Sequence, residues 1–186
     1  MNRTLLLGVA IMAVALLSSC NQKNKQEALA KADNFEETSI QQGETQSLMD
    51  MKIPDQSREK IRLGDLIEKN KLTIIDFWAS WCGPCRHEMP AMVSLYNDYK
   101  EKGLGIVGIS LDEEFADWKN AIDELGLPWQ QLSELRGWEE TLAMKMNVKA
   151  IPHTLLLDRQ GNILAEGLRS EELRQLISKK LDNPTE

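Results

Sequence analysis

The chain has 186 residues, a formal net charge of −7 and a sequence pI of about 5.0. That length suits one domain with something left over. An acidic chain with no basic tract argues against nucleic acid as a partner and against electrostatic docking on anionic lipid. Only three cysteines are present, which excludes a small domain stapled by several disulfides.

Residues 1–19 read as a signal peptide. Arg3 supplies the positive start, and Leu5 to Leu17 is an uninterrupted apolar run of 13 residues, short for a membrane span. Loss of this segment removes one positive charge, Arg3, and takes the net charge from −7 to −8. The run ends in Leu17-Ser18-Ser19-Cys20, which resembles a bacterial lipobox. The resemblance implies that Cys20 is lipidated and becomes the mature N-terminus; ordinary secretion with a free Cys20 is the alternative. Each acyl CH₂ buried in a membrane contributes roughly 0.8 kcal/mol, so several chains on Cys20 anchor firmly. Asn21 follows, and the choice between outer and inner membrane stays open. Residues 20–47 are polar with no clear apolar period and read as the lipidated cysteine plus a flexible tether. A short helix from Gln26 to Phe35 would change nothing functional.

The pattern turns globular at Leu48, and 48–186 reads as one domain. Met51, Ile53, Ile61 and Leu63 flank the polar stretch Asp55 to Glu59, which predicts a hairpin. Gly64 to Lys69 predicts a short helix. Leu72 to Ala79 is near-continuously apolar, as in a central strand buried on both faces. A helix is expected from Cys82 to about Lys102, with Met89, Met92, Val93 and Tyr96 facing the core, a kink at Pro90 and a stop at Gly103. Gly105 to Leu111 predicts a second buried strand. Glu113 to Leu125 predicts a helix with Phe115, Trp118, Ile122 and Leu125 inward. Leu127 to Leu132 predicts a strand and Gly137 to Met146 a helix. Thr154–Asp158 and Ile163–Glu166 predict a hairpin around Arg159-Gln160-Gly161. Ser170 is expected to cap a last helix with Leu173, Leu176, Ile177 and Leu181 inward.

The chemistry centres on Trp81-Cys82-Gly83-Pro84-Cys85, set between the apolar strand and the helix. In that context a Cys-x-x-Cys reads as a redox motif. The free N–H groups and positive dipole end of a helix start favour an anion, so a Cys82 thiolate is stabilised there and becomes the nucleophile. Cys85, one turn on, closes a disulfide back onto Cys82. Pro84 suits a helix start because its missing N–H would lack a partner anyway. A structural zinc site needs four ligands, and only His87 and His153 remain. Haem attachment needs a histidine where Arg86 stands. Asp76, in the middle of the apolar strand, costs several kcal/mol to bury charged and is expected to respond by raising its pKa. The alternative is an acid at a strand end that reaches solvent.

Ile75 to Cys85 resembles the active-site segment of thioredoxin almost residue for residue. From about Met51 to Leu181 the chain resembles the membrane-anchored, envelope-facing thioredoxin-like reductases of bacteria, the group that includes TlpA and ResA. The resemblance implies a thioredoxin-like α/β fold: a central mixed sheet flanked by helices, an N-terminal β-hairpin and one inserted helix, here Glu113 to Leu125. It implies that Asp76 acts as proton acceptor and donor toward Cys85. It makes Ile151-Pro152-His153-Thr154 the cis-proline loop, where the Ile151 backbone pairs with an extended substrate; a trans proline opening a strand is the alternative. Glu88 either tunes the site, as an acid at this place does in ResA-like members, or is a solvated helix residue. Trp81 shields the thiols and offers substrate a flat apolar contact, or is plain surface packing; with Gly83 and Pro84 it joins Ile151 and Pro152 as the expected substrate contact. His87 and His153 are bystanders unless protonation of one shifts the cysteines. Trp78, Trp118, Trp129 and Trp138 read as core or partly buried.

The expected activity is protein disulfide reduction with no cofactor beyond the cysteine pair and no metal. Its partners would be disulfide-bearing envelope proteins, apocytochrome c among them by family resemblance, and a membrane electron-relay donor; a general protein-repair or oxidative-stress role fits equally well. The Gly-Pro dipeptide resembles that of thioredoxin, whose potential is ~−270 mV, and this favours a reductase over an oxidase or isomerase. A copper metallochaperone holding the ion through Cys82, Cys85 and His153 is the rival of a different class.

Overall fold

The computed structural model describes residues 48–182. The expected signal peptide (1–19), Cys20, the tether to residue 47 and the optional helix from Gln26 to Phe35 lie outside the described residues.

A hairpin comes first, of β1 (Lys52–Pro54) and β2 (Lys60–Arg62) in antiparallel register. Asp55 shapes its turn: Oδ1 accepts the Ser57 and Glu59 N–H groups at 2.7 and 3.1 Å, a local bond that suits Asp to turns. Helix α1 (Leu63–Ile67) leads into β3 (Leu72–Trp78), the organising strand. All seven of its residues are buried, as a near-continuous apolar run requires. Helix α2 (Gly83–Tyr99) follows, then β4 (Leu104–Ser110), parallel to β3. Helix α3 (Phe115–Leu125) leads to β5 (Gln130–Leu132), parallel to β4. After α4 (Thr141–Lys145), β6 (His153–Asp158) pairs antiparallel with β3, and β7 (Ile163–Glu166) pairs antiparallel with β6. Helix α5 (Ser170–Leu181) ends the described fold. The mixed sheet has the order β5-β4-β3-β6-β7. The hairpin covers its β5 edge, where the Ser133 N–H donates to the Pro54 carbonyl at 2.9 Å.

The elements agree with the sequence pattern, and the differences have local causes. The buried stripe of α2 is Cys85, Met89, Met92, Leu95 and Tyr99. Val93 and Tyr96 lie at its margin, and the Tyr96 ring packs edge-on to Trp129 with centroids 5.7 Å apart. The helix continues through Pro90, which is exposed, so the carbonyl it leaves free is on the solvent side. Lys100–Lys102 tightens into a 3₁₀ turn, and Gly103 ends it at φ 106°, a left-handed value that glycine adopts without cost. The strand expected from Leu127 forms only at Gln130, because Pro128 has no N–H for the ladder.

Residues 137–146 are not one helix. A 3₁₀ turn (Gly137–Glu139) and α4 are separated at Glu140, whose backbone is extended (φ −53°, ψ 121°) and whose buried carboxylate accepts the Glu134 N–H at 2.8 Å. This break turns Trp138 outward, at 47 % exposure, so it is not a core residue. Ser170 is also not the cap of the last helix. Arg169 holds that position, and its N–H is taken by Glu172 Oε2 at 2.9 Å.

Candidate active site

The motif loop leaves the sheet at the C-terminal end of β3. Cys82 is the N-cap of α2, with extended backbone (φ −83°, ψ 97°). Its Sγ accepts the Cys85 N–H at 3.2 Å. The two cysteines form a disulfide with a Cα–Cα distance of 5.3 Å. A sulfur at an N-cap meets the unpaired N–H groups and the positive end of the helix, so the reduced thiolate is stabilised at the Cys82 position. Cys82 is 5 % exposed and Cys85 1 %, so an incoming sulfur reaches Cys82 first. Gly83 and Pro84 lie exposed at the helix start.

The loop before the motif is held by a residue that sequence reasoning missed. Asp112 is 1 % exposed and sits just beyond β4. Its carboxylate accepts the Ser80 N–H at 3.0–3.1 Å, the Ser80 hydroxyl at 2.5 Å and the Ser110 hydroxyl at 2.6 Å. The available signal was an acid directly after the apolar run Gly105 to Leu111. Three separate donors satisfy the charge that burial would otherwise penalise.

Asp76 is buried in a different way. It lies in the middle of the sheet at 3 % exposure, opposite Gly108 on β4 and Thr154 on β6. Among the described residues no donor bonds its carboxyl. Burial pushes it up to about 7; the negative charge of Glu88 adds to the rise and Arg169 opposes it. Glu88, on α2, is partly buried. Its Oε2 accepts the Ser170 N–H at 3.4 Å, and its Oε1 lies 3.7 Å from Arg169 Nε. Arg169 in turn donates from Nη1 to the Pro152 carbonyl at 2.8 Å. The Ile151–Pro152 peptide bond is cis. Pro152 lies one residue beyond the Phe77–His153 pair, at the sheet end from which the motif loop departs. Arg169 was not singled out from the sequence, where an arginine ahead of a helix start carries no functional signal.

Trp81 is 57 % exposed, and its ring centroid is 6.5 Å from that of Trp138. The outward turn at Glu140 thus sets a second indole beside the motif. His87 is exposed. His153 packs on Phe77 with ring centroids 6.0 Å apart, and its Nε2 lies 3.3 Å from Glu166. Among the described residues there is no group of three His, Cys, Asp or Glu side chains able to hold a metal ion. Cys20 lies outside the described residues.

A redox cysteine pair whose first member caps the helix that follows the central strand of a mixed sheet defines a thioredoxin-like thiol–disulfide oxidoreductase. Residues 45–166 match the AhpC/TSA family, and the chain belongs to it. It is 32 % identical over 124 residues to thiol-disulfide oxidoreductase ResA of Bacillus thuringiensis, covering 67 % of this chain and 69 % of that protein. It is 28 % identical over 116 residues to thiol:disulfide interchange protein HelX of Rhodobacter capsulatus, covering 62 % of each chain. Among solved structures, the thioredoxin domain of a thiol-disulfide oxidoreductase from Bacteroides vulgatus superposes with a TM-score of 0.64 at 31 % identity, covering 70 % of this chain and 92 % of that one.

Proposed function

We propose that this oxidoreductase works as a reductase of protein disulfides in the bacterial envelope. The single observation that carries the reading is the placement of Cys82 as the cap of α2, where its sulfur accepts a helix N–H. In the reduced protein the Cys82 thiolate attacks one sulfur of a substrate disulfide. That S–S bond breaks, a substrate thiolate leaves, and a mixed disulfide forms. Cys85 gives its proton to the Asp76 carboxylate and attacks Cys82 Sγ. The Cys82–Cys85 disulfide forms and the second substrate thiolate leaves, to be protonated by Asp76 or water. The substrate gains two electrons and the dithiol loses two.

An acid titrating at about 7 suits that exchange, because it both accepts and returns a proton near neutral pH. The Ile151 backbone, beside the cis proline, serves as the edge on which an extended substrate pairs, with Trp81, Gly83 and Pro84 as the facing contact. Residues 48–186 form the working domain, tethered by residues 20–47 to a lipid on Cys20. A membrane electron-relay protein returns the dithiol to its reduced state. Apocytochrome c is a candidate substrate by resemblance to the envelope reductases.

The reduction potential of Cys82–Cys85 tests the direction. The full chain is equilibrated in thiol/disulfide buffers and followed by tryptophan fluorescence, with thiol alkylation as a check. A value near the ~−270 mV of thioredoxin supports a reductase. A value above about −180 mV, where isomerases and stronger oxidants lie, overturns it.

A further inference from the structure

Arg169 joins three parts of the molecule that are far apart in sequence. Its Nη1 donates to the Pro152 carbonyl at 2.8 Å, which ties it to the cis-proline loop. Its Nε is 3.7 Å from Glu88 Oε1 on α2. Its own residue caps α5, and the next N–H, of Ser170, is aimed at Glu88 Oε2 at 3.4 Å. A guanidinium suits this place because its planar fork serves a carbonyl and a carboxylate at once and never loses its charge.

The charges around Asp76 show why a cation is needed here. The neighbouring strands supply none: β4 places Gly108 opposite Asp76, and β6 places Thr154, whose hydroxyl is committed to the Leu168 carbonyl at 2.6 Å. The side chain of Gln131 on β5, neutral, fills the space over Gly108. His153 is paired with Phe77 and so projects from the opposite sheet face. From α2 comes Glu88, a second acid. Arg169 is the cation whose charge acts against both.

We propose that Arg169 is a positioning residue for disulfide exchange, tying the cis-proline loop to Glu88 and offsetting the like charges of Glu88 and Asp76. The proposal rests on the reading of Asp76 as proton acceptor for Cys85. Without Arg169 the two acids repel uncompensated and Asp76 holds its proton to higher pH. Cys85 then loses its acceptor on the acid side of the profile. The loop also loses the bond to the Pro152 carbonyl.

The experiment compares the full chain with Arg169→Gln and Arg169→Lys. Carboxyl ¹³C shifts of Asp76 are titrated in the oxidised protein. The reduced protein is reacted with a synthetic peptide disulfide across pH, and circular dichroism checks the fold. Arg169→Gln is expected to move both the Asp76 midpoint and the acid limb of the rate profile upward by about half a pH unit, since the guanidinium is half-exposed and partly screened. On that limb the rate falls about threefold. Arg169→Lys keeps the charge and is expected to recover most of the midpoint. Overlapping Asp76 titrations in wild type and Arg169→Gln overturn the proposal, as does a lysine variant displaced as far as the glutamine one. If wild type fails to reduce the peptide, the functional reading fails instead, and the Asp76 titration still judges Arg169. Should Arg169→Gln lose its fold, Glu88→Gln gives the converse test: a midpoint that does not move down overturns the charge balance.

Discussion

The loop beyond β4 and the centre of β3 each bury an aspartate, and they treat it in opposite ways. Asp112 is surrounded by the Ser80 N–H and two serine hydroxyls, so its charge is met by donors and it serves as an anchor. Asp76 has no bonded donor among the described residues, and burial pushes it up to about 7. Burial alone therefore does not make an acid reactive. The hydrogen bonds it is denied decide whether it holds a loop or trades a proton.

Removing each acid should shift stability in opposite directions. Asp112→Ala strands buried donors and unties the motif loop, and the largest effect is expected there: about 4 kcal/mol of destabilisation by urea unfolding. A neutral result would mean that Ser80 and Ser110 satisfy one another without the carboxylate.

Asp76→Asn should stabilise. The folded-state value of about 7 lies above the ordinary 3.8, so the fold binds this proton more tightly than the unfolded chain does. The corresponding stability is fully present below about pH 4 and is lost as pH rises through 7. Asparagine has no proton to lose, so the gain should be near zero at pH 4 and on the order of 3 kcal/mol at pH 8. The same variant should slow resolution of the mixed disulfide by roughly 10²-fold at pH 7, seen by stopped-flow fluorescence. Equal gain at both pH values would show that Asp76 does not titrate in this range.

Glu140 sharpens the comparison from between the two. Its Oε2 has one donor, the Glu134 N–H, while Oε1 has none among the described residues, and burial pushes it up to about 7. Glu140→Gln keeps an acceptor and removes the charge, so a smaller gain is expected: about 1–2 kcal/mol at pH 8 and none at pH 4. Thermal unfolding at the two pH values reads it. The smallest stability effect belongs to Trp138→Ala. The indole is half-exposed, so stability should change by less than about 0.5 kcal/mol. If the Trp81–Trp138 surface contacts substrate, KM for peptide disulfides should rise a few-fold with kcat unchanged.

Much of this molecule is written in local pattern. The two-faced apolar run at Leu72 makes β3, the 3.6-residue stripe makes α2, and Cys82-Gly83-Pro84-Cys85 falls where one ends and the other begins. A thiol at a helix start is activated by the backbone of its own helix, so no distant residue is needed to read it. Even the cost of burying a charged Asp76 is foreshadowed by its place inside an apolar run.

What the tertiary structure decided is who stands around those residues. Arg169, Glu88 and Pro152 are brought together from three elements, Asp112 reaches back across 32 positions to Ser80, and Trp138 comes out beside Trp81 because Glu140 breaks a helix to bury its carboxylate. Side-chain periodicity reports which face of an element is apolar, whereas electrostatic and hydrogen-bond partners depend on packing between elements distant in sequence. The place of Cys82 at a helix start is therefore legible in the sequence, and the charges that act on Asp76 are set by the fold.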